Sequence, residues 1–338
     1  MKLTPLSSLA LVALASTAMP VLAHDPVQVA AAATQDHHER PEDAIFKTNP
    51  LRGGVYALYG RGGNVGFVVG PEYAIVIDSQ FKDIAPGILR QVAKVTDKPV
   101  KFLVNTHHHG DHTGGNDAFK PISVIVAHEN VRRRMLRAPE DLIRDMPGRI
   151  EAAKKAAQPA DRIKAMEDQL AAAKAVRIEE IAAPIVTFDA AVKLHIGGET
   201  LHVIHTAPAH TDGDSFVWFE KANVLHMGDL FFNKMIPFID TTSGGAAAGY
   251  LAALDQAIAY VPADAIVIPG HGDVTDVAGL KAFRQYIVDL LASAKAAKAA
   301  GKTKEQYLAE VDLPAYKGFS GYKDRFKTNA TAAWDGLR

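Results

Sequence analysis

The sequence predicts an α/β protein in which layers of sheet are covered by helices. Three observations support this prediction. From Gly53 onwards, short apolar runs alternate with glycine-bearing turns; residues 129–182 are rich in Ala, Lys, Arg and Glu; and helical periodicity returns in residues 276–338. Strand and helix signals that alternate in this way are typical of layered α/β folds. We therefore expect a mixed core with a helical insertion and a helical C-terminal tail.

Length and composition exclude several classes of protein. The 338 residues suffice for one large domain or two small ones. The chain has 37 Lys and Arg against 38 Asp and Glu, a balance that disfavours a nucleic-acid partner. It has no cysteine, which excludes disulfides, thiolate metal sites and a cysteine nucleophile.

The N-terminus predicts export. Residues 1–23 read as a signal peptide with Lys2, a short apolar stretch and a small-residue cleavage site after Ala23. No later segment has 18 uninterrupted apolar residues, so we expect no integral membrane segment after cleavage. The mature protein would then be periplasmic or secreted. Residues 24–45 are polar and Ala-rich and predict a loose leader that carries His24, His37 and His38.

Apolar runs bounded by turn residues predict the strands. In the first half of the chain they are residues 55–58, 65–69, 74–77, 102–104 and 122–126. After the helical segment they are residues 185–188, 192–196, 201–205, 216–219, 224–227 and 265–268.

Helical periodicity predicts the remaining elements. A first helix is expected at residues 84–95. In the insertion, about residues 129–182, an apolar stripe at i, i+3, i+7 and i+10 and a break at Gln158-Pro159 predict two helices. These helices would be a solvated cover over the sheet, a lid or an oligomer contact. The tail has one apolar helical face, and Thr303 and Gln306 form a capping-box signature for a last helix. The stripe is Ile163, Met166, Leu170 and Ala173, and the face of the tail is Leu280, Phe283, Ile287, Leu290 and Leu291.

The strongest motif is a His-x-His-x-Asp-His segment directly after the strand at 102–104. Imidazole and carboxylate groups are ligands that suit zinc when no thiolate is present. His107 and His109 would serve one metal, whereas Asp111 and His112 would face the other side of the turn and serve a second. Further ligands must follow later strands, and the candidates are His210, Asp229 and His271.

With this motif and these later ligands, the sequence resembles the metallo-β-lactamase superfamily over roughly residues 50–275. The resemblance implies an αββα sandwich with a zinc site at the sheet edge, in a domain spanning residues 46–275 and followed by the helical extension 276–338. It also implies the ligand sets: His107, His109 and His210 for the first zinc, Asp111, His112 and His271 for the second, and Asp229 as the bridge. Asp78 corresponds to a supporting carboxylate near the site.

The resemblance also limits the expected activity. The set of His ligands with a bridging Asp is most similar to the ligand sets of glyoxalase II and the acyl-homoserine lactonases. True zinc β-lactamases mostly lack the bridging Asp. Lactonases place a Tyr where this chain has Phe232. The chain is most similar to a broad exported group of hydrolases, some of which degrade β-lactams. We therefore expect an exported dinuclear zinc hydrolase, with a β-lactam amide as the first candidate substrate.

Three alternatives remain open. The chain could hydrolyse a lactone or thioester, it could be a mononuclear iron oxidoreductase on the same fold, or it could be a non-catalytic metal-binding protein. The predicted ligands would also accept iron or manganese. The helical segments leave room for a homo-oligomer.

The chemistry expected for two zinc ions is attack on a carbonyl by a metal-bound hydroxide, because zinc lowers the pKa of bound water to about 7. Asp111 would accept a hydrogen bond from this nucleophile and later deliver the proton. Lys234, Arg61 and Tyr59 are the candidates for contact with a small-molecule substrate. The remaining histidines are expected to support the loop or the strands: His108 next to the motif, and His195, His202, His205 and His226 in strands.

Overall fold

A computed structural model of the protein describes residues 40–337. The predicted signal peptide, most of the predicted leader, and His24, His37 and His38 lie outside the described residues. The end of the predicted leader is not loose, because Pro41–Ile45 forms a short 3-10 helix. Asp43 ties this helix to the rest of the fold through an ion pair with Arg90, with 2.5 Å between Oδ1 and Nη2.

The first sheet contains the N-terminal strands in sequence order. Its strands pair antiparallel as far as the fourth, and in parallel from there to the seventh. The third strand reads Val-Gly-Phe-Val-Val and is buried along most of its length, as expected for a strand covered on both faces. The strands are β1 (Lys47–Pro50), β2 (Val55–Tyr59), β3 (Val65–Val69), β4 (Ala74–Ile77), β5 (Val100–Val104), β6 (Val124–His128) and β7 (Val186–Phe188).

The second sheet contains the later strands in the spatial order β13-β12-β11-β10-β9-β8. Only the pair β11 and β12 is parallel, because helix α6 connects these two strands. The strands are β8 (Ala191–Ile196), β9 (Glu199–His205), β10 (Ser215–Phe219), β11 (Val224–His226), β12 (Ile266–Ile268) and β13 (Thr275–Asp276).

The five predicted helices lie close to their expected positions, and the described residues form four further α-helices. The predicted break at Gln158-Pro159 separates the two helices of the insertion, and Thr303 and Gln306 form the predicted capping box. The helices are α1 (Ala85–Val95), α2 (Gly110–Thr113), α3 (Asn116–Phe119), α4 (Glu129–Lys155), α5 (Ala160–Ala175), α6 (Ala247–Tyr260), α7 (Val277–Ala299), α8 (Lys304–Glu310) and α9 (Tyr322–Gly336).

Three buried apolar clusters define four layers. One cluster lies between the two sheets and contains residues such as Ile75 and Val203. A second lies between the first sheet and α1 and includes Ile88. The third lies between the second sheet and α6, α7 and α9 and includes Leu254. The order helix, sheet, sheet, helix confirms the predicted α/β fold with its helical C-terminal region.

The insertion after β6 is a pair of helices that pack against each other. The predicted stripe on α5 is the face that is least exposed, with Ala173 buried. Within residues 40–337, no helix has the length and apolar character needed to cross a membrane.

Several details of the fold differ from the sequence prediction. Helices α2, α3, α6 and α9 were not predicted, so the capping box at Thr303 starts α8 and not the last helix. The strand expected at residues 122–126 runs from Val124 to His128 instead. Strands β1 and β13 were not predicted, because Lys47–Pro50 and Thr275–Asp276 are too short and too polar to show an alternating pattern.

Candidate metal centre

The predicted metal ligands lie together beyond the ends of four strands. The His-x-His-x-Asp-His segment follows β5 and continues into α2, whereas the three later candidates follow β9, β11 and β12. Glycine is required at close approaches around them. A Cβ at Gly63 would collide with the ring of His112, and one at Gly270 would collide with Asp229 Oδ1. The backbone can therefore enclose these side chains only where it carries no side chain of its own.

The first group consists of His107, His109, His210 and Asp229. One potential ligand atom from each lies within 4.8 Å of the others. His210 Nε2 is 2.8 Å from His109 Nδ1 and 3.2 Å from His107 Nε2. Asp229 Oδ2 is 3.3 Å from His210 Nε2. Three imidazoles and one carboxylate thus converge on one point.

The second group consists of Asp111, His112 and His271. His271 Nε2 is 3.2 Å from Asp111 Oδ2. The other oxygen of Asp229 faces this group, because its Oδ1 is 3.0 Å from His112 Nε2 and 3.3 Å from His271 Nε2. The two carboxylate oxygens of Asp229 therefore face two different groups of ligand atoms.

Hydrogen bonds on the far side of each ring set the orientation of four histidines. A neutral imidazole that donates from one nitrogen presents a lone pair on the other. In each case the nitrogen that faces the centre is the one left free to bind a cation. The partners are Thr106 Oγ1 for His107 Nδ1 at 3.1 Å, Asp240 Oδ2 for His109 Nε2 at 3.0 Å, Asp78 Oδ2 for His112 Nδ1 at 2.7 Å, and the Phe238 carbonyl for His210 Nδ1 at 2.6 Å.

Asp78 supports two parts of the motif at once. Its Oδ1 accepts from the backbone N–H of Thr106, and its Oδ2 accepts from the Thr106 hydroxyl and from His112. Asp78 is fully buried and has a φ of 66°, in the left-handed region that non-glycine residues rarely adopt. This position after β4 is therefore strained and is held by the three hydrogen bonds.

Neighbouring histidines stabilise the negative charge of the buried Asp229 carboxylate. Burial would raise the pKa of Asp229, but His271, His112 and His210 hold it well below its usual value. Burial opposes protonation of His271, but Asp229 and Asp111 raise its pKa to about 9. Burial lowers the pKa of His210 to about 4, so this ring keeps its lone pair at neutral pH.

Two buried atoms fit a metal site better than a protein-only network. His112 Nε2 and Asp229 Oδ1 lie 3.0 Å apart, yet neither has a hydrogen bond of acceptable geometry. Buried polar atoms without partners cost about 1–3 kcal/mol each, so they are rare unless something else satisfies them. A cation between the two groups would satisfy both atoms. The donor set, imidazole nitrogens and carboxylate oxygens, is suitable for zinc, iron or manganese.

Three side chains of the centre are partly exposed to solvent, and they mark its opening. Asp111, His271 and His109 are 26%, 24% and 20% exposed, whereas Asp229 is only 4% exposed. Burial opposes ionisation of Asp111, but its contact with His271 holds the pKa of this carboxyl below its usual value. Asp111 is therefore the carboxylate of the centre that an incoming molecule can reach.

The other histidines have different surroundings. His108 Nε2 is 3.3 Å from Ser243 Oγ, and burial lowers the pKa of His108 to about 3. It forms a third possible group with His109 and Asp240, and this group shares His109 with the first. The strand histidines bind other partners: His195 contacts Thr200, His202 contacts Tyr260 and Glu220, His205 contacts the Asp214 carbonyl, and His226 contacts the Asn64 carbonyl.

The three residues predicted to contact a substrate differ in the contacts that they make in the structure. Arg61 is ion-paired with Asp83 at 2.5 Å. The Tyr59 hydroxyl accepts a hydrogen bond from the Val274 N–H, near the turn that carries His271. Lys234 is exposed and has a φ of 56°. The contacts of Arg61 and Tyr59 support the local fold, and a role in substrate binding stays a prediction for all three.

Two residues of the centre were missed by the sequence analysis. Asp240 binds His109 and also caps the 3-10 helix Thr241–Ser243. The Tyr250 hydroxyl donates to the backbone carbonyl of Asp229. Neither residue belongs to a spacing motif. An Asp followed by Thr-Thr-Ser signals a helix cap, but nothing in that signal points to His109.

Comparison with known proteins is consistent with this geometry. A family model described as the metallo-beta-lactamase superfamily matches residues 58–271. An uncharacterized protein of Aquifex aeolicus (strain VF5) is 32% identical over 98 residues, and the match spans 29% of this chain and about half (46%) of that protein.

Solved structures share the fold at low sequence identity. A metallo-beta-lactamase from Pontibacter korlensis has a TM-score of 0.52 at 18% identity, covering 72% of this chain and 98% of its own. The sec-alkylsulfatase Pisa1 from Pseudomonas sp. has a TM-score of 0.62 at 15% identity, covering 88% of this chain and 51% of its own. The DIM-1 metallo-beta-lactamase has a TM-score of 0.51 at 16% identity, covering 72% and 97%. Since the family model matches well over half of the chain, the protein belongs to the metallo-beta-lactamase superfamily.

Proposed function

We propose that the protein is an exported hydrolase that holds two zinc ions and cleaves a carbonyl substrate, with a β-lactam amide as the first candidate. The observation that carries this proposal is the position of Asp229, whose two oxygens face two separate groups of ligand atoms. A carboxylate in this position can bridge two cations. The predicted signal peptide supports export to the periplasm or beyond.

In this proposal, His107, His109 and His210 hold the first cation. Asp111, His112 and His271 hold the second, and Asp229 bridges both. Bound cations at such sites supply Lewis acidity and lower the pKa of a water molecule to about 7. The tautomers set by Thr106, Asp240, Asp78 and Phe238 present the required lone pairs without rearrangement.

Asp111 is proposed to move the proton. Its carboxylate is ionised and partly exposed, and its Oδ2 lies 3.2 Å from His271 Nε2. It can accept a hydrogen bond from an attacking water and later donate the proton to the leaving group. Phe232 is buried and stacks on the His271 ring with 5.1 Å between centroids, so it limits how far this ring can turn.

The test combines metal analysis with a panel of substrates. Metal content is measured on the purified mature chain, and hydrolysis is followed with nitrocefin, a lactone, a thioester and a secondary alkyl sulfate. The comparison uses His109→Ala, and His195→Ala is the matched control because His195 is an exposed strand histidine. We expect about two zinc ions per chain, nitrocefin turnover that chelation abolishes, and loss of both in His109→Ala only.

Other outcomes lead to different conclusions. Two zinc ions with turnover of only the lactone, thioester or sulfate would keep the metal site and replace the substrate. One iron ion with oxygen consumption and no hydrolysis would refute the hydrolase and favour the oxidoreductase. Full metal content and turnover in His109→Ala would refute the ligand assignment.

A further inference from the structure

A cavity of about 390 Å³ lies along one face of α4, outside the two groups of candidate ligands. Four arginines line it, and their spacing along the helix places them on the same side. The opposite wall includes Asp212 and Thr242, from the loops that follow β9 and β11. Ligand cavities in proteins commonly have volumes of roughly 300–1,000 Å³. The arginines are Arg133, Arg134, Arg137 and Arg144.

Guanidinium groups outnumber carboxylates in the lining of the cavity. Its lining has four guanidinium groups but only two carboxylates, those of Asp141 and Asp212. Arg134 forms a two-pronged ion pair with Asp212 at 2.5 and 2.6 Å. Arg144 binds Asp141 at 2.7 Å and Asp145 at 2.8 Å. Arg133 binds Glu129 at 3.3 Å, on its own helix.

Arg137 differs from the other three arginines. Within residues 40–337 it has no ion pair or hydrogen bond from its side chain, although it faces the same cavity. A guanidinium group presents a planar set of N–H donors that matches the geometry of a carboxylate or a sulfate. Arg137 thus has donors available to an anion that enters the cavity.

The cavity is connected to the metal centre by two hydrogen bonds. The Thr242 hydroxyl, in the cavity wall, donates to Asp240 Oδ1 at 2.6 Å. The other oxygen of Asp240 accepts from His109 Nε2 at 3.0 Å. The loop that carries Asp240 and Thr242 therefore contacts both the cavity and the candidate ligand His109.

We propose that this cavity binds the oxyanion group, a carboxylate or a sulfate, of an anionic substrate whose scissile bond lies at the metal centre. The substrate part of this proposal rests on the proposed hydrolase function. The binding of an oxyanion by the arginines does not, since it depends only on the charge and shape of the cavity. Two experiments separate these parts.

The first experiment is calorimetric titration of the metal-loaded protein with sodium sulfate. Ionic strength is held constant because salt screens exposed charges. The test variant is Arg137→Gln. The matched control is Arg149→Gln, because Arg149 is an exposed arginine on the same helix outside the cavity lining. We expect sulfate to bind the parent protein and Arg149→Gln equally, and to bind Arg137→Gln at least roughly tenfold more weakly, the loss typical of one charge-assisted hydrogen bond. Equal sulfate affinity of Arg137→Gln and Arg149→Gln would refute the proposal that the cavity binds an oxyanion.

The second experiment compares a carboxylate-bearing substrate with its neutral methyl ester. In Arg137→Gln the KM for the anionic substrate should rise roughly tenfold, whereas its kcat and both constants for the ester stay unchanged. If sulfate binding depends on Arg137 but this KM does not, the cavity binds a free anion and the substrate assignment is wrong. If no variant hydrolyses any substrate, the proposed function fails, and the sulfate titration still decides the cavity.

Discussion

Replacing Asp240 with Asn tests how the protein selects the tautomer of His109. Asp240 Oδ2 accepts from His109 Nε2 at 3.0 Å, which leaves His109 Nδ1 unprotonated and directed at the first group of ligands. Asp240 Oδ1 accepts from the N–H groups of Thr242 and Ser243. An Asn at this position has only one acceptor oxygen. If that oxygen keeps the helix cap, the amide N–H₂ faces His109 and favours the opposite tautomer.

The expected loss follows from the hydrogen bond that is removed. A hydrogen bond to a charged group contributes about 1.5–3 kcal/mol, and replacing the outer partner of a ligand histidine typically reduces metal affinity roughly 10- to 100-fold. The two ranges agree, because about 1.4 kcal/mol corresponds to a tenfold change in affinity. We therefore expect Asp240→Asn to bind the first cation, the one assigned to His109, roughly 10- to 100-fold less tightly.

The assay is competition for zinc with a chromophoric chelator at fixed pH. The control variant is Asp264→Asn, which alters a carboxylate that is 75% exposed and paired with Arg52. Thermal unfolding in excess chelator should be nearly the same for both variants, since Asn is as good a helix cap as Asp. Unchanged zinc affinity in Asp240→Asn would refute the argument about the tautomer. A large loss of stability in chelator would instead show that Asp240 acts mainly on the loop.

Three further perturbations test other parts of the centre and the fold. Asp229→Asn removes the charge that both groups share, so metal content should fall below one cation per chain by mass spectrometry, and hydrolysis should fall with it. Tyr250→Phe leaves the buried Asp229 carbonyl without its donor and should lower the free energy of unfolding in urea by about 1–3 kcal/mol. Burial lowers the pKa of His205 and of His128, which stacks on it, so the unfolded chain binds more protons below about pH 6.5 and stability falls as the pH falls. His205→Gln should reduce that slope by at most about 1.4 kcal/mol per pH unit in urea titrations between pH 7 and pH 5.

Each of these outcomes has a clear contrary result. Two cations retained by Asp229→Asn would exclude Asp229 as the bridge. An unchanged urea midpoint in Tyr250→Phe would mean that its hydroxyl does not hold the Asp229 backbone. Parallel stability curves for His205→Gln and the parent protein would place the acid sensitivity in other groups.

The parts of the fold that the sequence predicted are those that depend on local pattern. Buried strands such as β3 and β4 appear as apolar runs, and Thr303 and Gln306 mark a helix start within four residues. The His-x-His-x-Asp-His segment is equally local. The resemblance of the whole ligand series to a known family implied how distant residues such as His210 and His271 would combine, which spacing alone left open.

The parts that were missed depend on contacts between distant segments. Asp240 reaches His109 across 131 positions, and no periodicity connects them. Asn64 fixes the turn that carries His271, because its amide donates to the carbonyls of Pro269 and Gly272, more than 200 positions away. Such hydrogen bonds are set by the packing of whole layers, so a sequence shows the donor and the acceptor but not that they meet.

The helical insertion illustrates how a local prediction can be correct while its consequence stays hidden. Its composition predicted two helices, with a solvated cover as one reading, and α5 is indeed largely exposed. However, α4 is bound to the loop that carries His210. Asn130 Nδ2 donates to the Asp212 carbonyl at 2.8 Å, and Arg134 forms an ion pair with the Asp212 carboxylate. The Asp212 N–H in turn donates to the Ser243 carbonyl at 2.9 Å, in the 3-10 helix capped by Asp240. The first turns of α4 therefore stabilise both loops behind the first group of ligands, and substitutions of Asn130 or Arg134 should affect metal binding as well as the surface of the protein.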